Sequence, residues 1–266
     1  MALSLSHAVF CSATMKLPRI SPSFHRRKPA SNIVAMSSLP QPSLSTADAD
    51  VASHLLRHIR SPSPSIISNV QGFLSATPPT IAPALCLAAC ALVRSSPQVA
   101  LDTACALHLA HVHSAVISRR HLTGLSSPVE LMTSDGLMAL VYEMITRSEA
   151  DAGRLQRVVV EVAGAVASIM AEVAEGAEKE DGRLPACGAA CGAILGGGTE
   201  EEVERTRRMG MHMGRAHASA MRCGVAAAAD GLGMVELELE WFDGDIADHV
   251  KDFLRTKMSF PHDVTI

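Results

Sequence analysis

Along most of this chain apolar residues recur at helical rather than alternating spacing. Between Arg60 and Arg94 no residue is charged, which raises the question of a membrane span. Pro78, Pro79 and Pro83 interrupt that run. The stretch left, IAPALCLAACALV, has the length of a buried helix rather than of a span. Pro83 suits a first helical turn, so PALCLAACALV, then SSPQVALDTACALHLAHVHSAVI after a Ser-Ser-Pro stop, predict two strongly apolar helices. A third helix is predicted over residues 127–148, started by Ser127 and Pro128, and a fourth over residues 150–178. The connection EGAEKEDGRLP is acid-rich, and a fifth helix follows over ACGAACGAILGG, whose small residues permit close backbone approach. Gly196 to Gly198 end that helix. Thr199 caps a sixth, with Glu200 to Glu202 in its first turn, where the helix dipole favours acids. From Asp230 the pattern is ambiguous: VELELEW alternates and fits either a short strand or a helix edge. The expectation is an all-α fold.

Composition narrows the class further. Hydrophobic residues make up 48% and charged residues 19%, while aromatics are only 3%, a balance that favours interlocking helices over β-sandwiches or nucleic-acid stacking platforms. A net charge of −4 supplies no basic field for a phosphate backbone. The charge is uneven, however. No acid precedes Asp48, whereas Lys16, Arg19, Arg26, Arg27 and Lys28 and ten serines lie in the first 47 residues. That is the composition of an organelle transit peptide, read here as plastid targeting, with a mitochondrial presequence and a plain disordered tail as rivals. Residues 1–47 are therefore assigned as transit peptide and lead-in, cleaved near Ala35, and residues 48–266 as one helical domain. Cleavage would remove Cys11 and leave six cysteines in a reduced chain, not a secreted disulfide framework.

Cys86 and Cys90, and likewise Cys187 and Cys191, stand four residues apart, so each pair shares a helical face. Thiols one turn apart suit a zinc or redox site. The intervening Leu-Ala-Ala and Gly-Ala-Ala suit small hydrophobes packed against a partner helix or within the core. Spacing alone leaves all three readings open. Cys105 and Cys223 lack a paired neighbour and are expected in the core. His108, His111, His113 and His121 cluster, but His113 does not share a face with His108 and His111. Helix histidines with local partners are the simpler reading for these, and for His212 and His217. The run Glu200 to Glu202 reads as a solvated cap.

Four segments carry a family resemblance: APALCLAACALV, LAHVHSAVISRRHLTG, SPVELMTSDGLMALVYEMI and, most specifically, CGAACGAILGGGTEEEVERTRRMGMHMG. In this order they resemble successive helices of plant-type geranylgeranyl diphosphate synthases, which are all-α trans-prenyltransferases; the likeness runs from Leu55 to Val225. It implies an isoprenoid-synthase-type helical bundle with a shortened, divergent C-terminal part. Active members join isopentenyl diphosphate to an allylic diphosphate, using two aspartate-rich motifs that gather Mg²⁺ on the leaving diphosphate.

At the positions that match those motifs this chain has Ser118 and Arg119, followed by Arg120 and His121, and then Met221, Arg222 and Val225. Pro79, Thr80 and Ala82 stand where the family's isopentenyl-diphosphate segment carries its Lys and two Arg. Asp135 matches a family acid, but one carboxylate does not assemble a multi-metal site. The resemblance is thus to the plant non-catalytic small subunits, which carry two Cys-x-x-x-Cys motifs and pair with a catalytic geranylgeranyl diphosphate synthase. It implies no catalytic residues, no metal and no cofactor in this chain, and Cys86, Cys90, Cys187 and Cys191 as partner-binding residues. It also implies a plastid heteromer that enhances or redirects prenyl diphosphate supply for chlorophyll, carotenoid and other isoprenoid synthesis. The rivals are a scaffold that recruits the synthase to downstream enzymes or the thylakoid surface, a diphosphate sensor built on Arg119, Arg120 and Arg222, and an active prenyltransferase with rearranged ligands.

Overall fold

The structure, a computed structural model, describes residues 47–59, 64–77, 80–118, 127–176, 182–242 and 244–258. Residues 1–46 of the expected transit segment, with Pro79, Arg119, Arg120 and His121, lie outside the described residues. Helices run α1 (Ala47–His58), α2 (Pro64–Ala76), α3 (Ala82–Leu92), α4 (Leu101–Ser118), α5 (Ser127–Arg147), α6 (Ala152–Glu175), α7 (Arg183–Gly196), α8 (Glu200–Cys223), α9 (Ala229–Leu239) and α10 (Gly244–Met258). Short 3-10 turns at Pro97–Ala100 and Val225–Ala228 lead into α4 and α9. Among the described residues there is no strand.

The predicted starts and stops fall where their chemistry places them. Thr199 Oγ1 accepts from Glu202 N at 3.3 Å, and Glu202 Oε2 accepts from Thr199 N at 2.6 Å, a reciprocal cap on α8. The fourth helix, expected over residues 150–178, begins later: Asp151 Oδ1 accepts from Arg154 N at 3.0 Å and caps α6, a start that the sequence reading had not singled out. Gly197, at φ 82°, closes α7 in the left-handed conformation that a side chain resists. Beyond Asp230 the alternating VELELEW is helical, not extended. Val235 and Leu239, four residues apart, face the core, and the glutamates between them are drawn into ion pairs with α8 and α10. Sequence reasoning also missed α1, α2 and α10. Val51 with Leu55, Val70 with Phe73, and Val250 with Leu254 are the pairs that bury them.

α3 and α7 form the centre. From Leu184 to Leu195 every residue of α7 is buried, as is every residue of α3 except Ala91, the signature of helices enclosed on all sides. Two rows of residues spaced by four bring them together. A Cβ on Gly188 would stand 2.5 Å from Ala82 O, and one on Gly192 would fall inside contact distance of Cys86 O and 2.8 Å from its carbonyl carbon. On another side of α7, a Cβ on Gly210 of α8 would meet Pro185 O at 2.6 Å. Around this pair α4 packs on α3, α5 on α4, and α6 on both α7 and α4. The polar atoms inside are satisfied. Thr103 and Ser148 hydroxyls meet at 2.9 Å, and His113 Nδ1 lies 2.9 Å from Ser134 Oγ and 3.0 Å from Ser134 O.

Because backbone atoms cannot yield as a flexible side chain can, Gly192→Ala is expected to destabilise the chain by about 3 kcal/mol. Gly164→Ala, on α6 with open space where the methyl goes, is expected to stabilise it by about 0.5 kcal/mol. Urea denaturation of both variants, read by far-UV circular dichroism, checks the contrast; equal midpoints would contradict it.

Candidate functional site

The two Cys-x-x-x-Cys pairs meet inside this chain. Cys86 and Cys90 on α3 and Cys187 and Cys191 on α7 are all buried, none more than 3% exposed. Cys105 of α4 joins them, a member that sequence spacing gave no means of recruiting, because it is brought in by a third helix. Cys90 Sγ donates to Ser96 O at 3.4 Å, Cys105 Sγ to Val51 O at 3.5 Å, and the Cys187 and Cys191 sulfurs lie 3.9 Å apart. The environment of Cys86, Cys90, Cys105 and Cys191 keeps these four as thiols. Burial pushes Cys90 up to about 11 and Cys105 to about 12, the latter helped by Asp102. Cys86 is raised by burial and then by the neighbouring Cys90, Cys187 and Cys105. Cys191 is raised first by its hydrogen bond with Cys187 and then by burial. Nucleophilic or ligating sulfur needs the thiolate, and this setting opposes it. Among the described residues no three His, Cys, Asp or Glu side chains converge at metal-binding separation.

Cys223 departs from expectation. It is exposed, because the end of α8 and the turn after it, residues 221–227, run clear of the body. The other sequence candidates are scattered. Met221 and Arg222 end α8 and Val225 follows, all on the surface; Ser118 ends α4, its hydroxyl donating to Ser114 O at 2.5 Å; Thr80 Oγ1 accepts from Ala82 N at 3.3 Å at the start of α3. His113 is turned to Ser134 on α5, away from any cluster with His108 and His111. Burial lowers the half-buried His217.

What the sequence did not reveal is an outward face built by α5 and α6. Both helices pack inward on α4, through Leu137, Val141 and Ile145 of α5 and Val158, Val162 and Ala165 of α6. Their opposite sides expose Val129, Met132, Gly136 and Ala139 on α5, and Val160, Gly164, Ala167 and Ala171 on α6. Met132 is 74% and Val160 65% exposed, unusual for large apolar side chains that follow a regular helical stripe. Ion pairs fix this face in place. Arg207 of α8 reaches over α7 to grip Glu161 of α6 at 2.7 and 2.8 Å and also holds Glu204 at 3.1 Å, which raises its guanidinium pKa. Arg157 meets Glu200 at 2.9 Å.

No family model matches the sequence. The chain superposes on the geranyl diphosphate synthase small subunit of Antirrhinum majus with a TM-score of 0.69 and 25% identity, over 80% of this chain and 97% of that one. The architecture is that of the isoprenoid-synthase class of prenyltransferase-like helical proteins. The heterodimeric geranylgeranyl pyrophosphate synthase small subunit 1, chloroplastic, of Cannabis sativa is 29% identical, spanning 77% of this chain and 82% of the relative. Small subunit 2 of the same plant is 31% identical, spanning 62% and 71%. The chain belongs to the family of heterodimeric geranylgeranyl pyrophosphate synthase small subunits.

Burial gives two expected results. Iodoacetamide on the native chain near neutral pH should label Cys223 among the described cysteines and spare the other five until denaturant is added; mass spectrometry of the peptides reads this. In addition, thiols whose folded pKa lies above the ordinary value of 9.0 contribute stability that is complete below that value and is lost as pH rises toward about 11 and 12. Melting temperature should therefore fall across that window, and less steeply in a Cys90→Ala, Cys105→Ala variant.

Proposed function

We propose that this chain is a plastid, non-catalytic subunit that binds a catalytic geranylgeranyl diphosphate synthase and raises or redirects its prenyl diphosphate output for chlorophyll, carotenoid and other isoprenoid synthesis. The observation that carries the reading is the exposed apolar face of α5 and α6 on a chain of the small-subunit family. An apolar stripe of this regularity gains free energy only when another surface covers it. The residues at the matched metal positions support the same reading. Ser118 has spent its hydroxyl proton on a backbone carbonyl, Met221 and Val225 offer no oxygen ligand, and Arg222 carries the wrong charge. These groups do not fit Mg²⁺, a hard ion that takes oxygen donors, and no chemical step is assigned to them. Chemistry belongs to the partner. This chain contributes a packed surface that favours one conformation of the partner, or one depth of its elongation cavity, by binding it better than the alternatives.

The four cysteines enter this proposal indirectly. Buried between α3 and α7, they act on partner binding by setting how closely α7 sits under α6, and hence the height of the docking face. Serine at all four positions adds hydroxyls to an apolar contact and is expected to weaken partner binding about tenfold, or about 1.4 kcal/mol, in a variant that keeps its helical circular dichroism. Full affinity in a folded variant would remove the cysteines from the proposal.

The reading itself is tested by incorporation of labelled isopentenyl diphosphate, with Mg²⁺ and allylic substrates, by this chain, by a plastid geranylgeranyl diphosphate synthase, and by their mixture. Silence from the chain alone and a changed rate or product length in the mixture is the expected result. Turnover by the chain alone overturns it, and an unchanged mixture moves the function to recruitment.

A further inference from the structure

Glu161 of α6 stands between Val160, exposed on the outward stripe, and Val162, which is buried. Its charge reaches the cysteine layer: the thiol of Cys191 on α7, held up first by its hydrogen bond with Cys187 and then by burial, is raised further by Glu161. α7 offers this carboxylate no counter-charge, because no residue from Leu184 to Leu195 is charged. Arg157, one turn away on α6, is engaged with Glu200. The counter-charge comes instead from α8, which like α6 packs on α7. Arg207 Nη1 and Nη2 donate to Glu161 Oε2 and Oε1 at 2.7 and 2.8 Å, and its Nε donates to Glu204 at 3.1 Å, which holds the guanidinium in that orientation. We infer that Arg207 is a positioning residue for partner docking: by holding Glu161 across α7 it fixes the height and rotation of α6, and with them the stripe that a partner meets. The docking role rests on the proposed function above; the hold on α6 does not.

Two ion pairs join α6 to α8, and exposure separates their weight. Arg157 and Glu200 are 44% and 82% exposed, where water screens a pair and leaves it little net energy; Arg207 and Glu161 are 32% and 26% exposed. Breaking the second pair is costly in one direction only. Without Arg207, Glu161 faces a close-packed, uncharged α7, and it regains solvation only if α6 rises or turns. With both groups replaced by apolar side chains no charge is left to solvate, and α6 keeps the seat that Val158, Val162 and Ala165 give it. A rise of α6 at Glu161 carries Val160 and Gly164 with it, since one is its neighbour in the chain and the other lies one turn on. A displaced stripe loses the shape match on which the core of an interface depends. Arg208, the next residue on α8, makes the same kind of two-pronged grip on Glu238, at 2.7 and 3.1 Å. It ties α8 to α9 rather than to α6, and so supplies an internal control.

Arg207→Met, Arg208→Met, and Arg207→Met combined with Glu161→Met test this in the full chain. Two measurements are made on each: iodoacetamide labelling of native Cys191 near neutral pH, read by peptide mass spectrometry, and affinity for a plastid geranylgeranyl diphosphate synthase, read by calorimetry. Arg207→Met is expected to open Cys191 to labelling and to weaken synthase binding about tenfold, and the double variant to protect Cys191 again and bind within about threefold of wild type. Arg208→Met is expected to match the wild type in both. Arg207→Lys, which keeps the charge but not the two-pronged grip, is expected to fall between, and it carries the test if Arg207→Met does not fold. An Arg207→Met chain that spares Cys191 or binds as the wild type does, a double variant no better than the single one, or an Arg208→Met chain weakened equally overturns the inference and leaves the proposed function. A wild type with no affinity for the synthase defeats the proposed function and the docking role of Arg207 together, while Cys191 labelling still reports whether Arg207 holds α6.

Discussion

At Gly192 of α7 and Cys86 of α3 two helix backbones come so close that no side chain fits between them. The rest of the bundle is arranged around that approach. Helices pack most tightly where one supplies hydrogen in place of Cβ, because dispersion falls steeply with distance and each ångström of separation forfeits many atom pairs. Residues spaced by four on α7, Gly188 and Gly192, stand against residues spaced by four on α3, Ala82 and Cys86, so the approach is sustained over a full turn. The cysteines beside these glycines belong to the same device. They are large enough to fill the space that glycine leaves and small enough not to prop the helices apart.

Close packing at the centre has consequences at the surface. With α7 gripped by α3 on one side and by α8 through Gly210 on another, α6 is laid over α7 and α4 in one position and tied there by Arg207 to Glu161. The outward stripes of α5 and α6 are thus presented by a rigid body rather than by mobile loops, which lowers the ordering entropy that a partner must overcome. The chain of ion pairs from Arg205 and Arg208 through Glu238, and from Glu236 to Lys251 and Arg255, does the same for α9 and α10. It explains why glutamates that alternate along the sequence end on a helix: their partners lie on both neighbouring helices.

The sequence by itself determined the helical class, the central apolar helices, the cap at Thr199 and the stop at Gly197, because these depend on spacing of four or fewer residues and on local hydrogen bonding. It also displayed the glycines and cysteines of α3 and α7, although not which atoms they meet. Only the tertiary structure decided that the four cysteines face each other within this chain, that Cys105 joins them from α4, and that Cys223, alike in sequence, stands in solvent. It also decided that Val160 and Met132 lie on an uncovered face while Val158 and Leu137, on the same helices, lie inside. α6 carries apolar residues on two sides of its charged sector, and the local pattern does not say which of the two is covered. The order of helices in space, set by where glycine lets backbones meet, makes that choice.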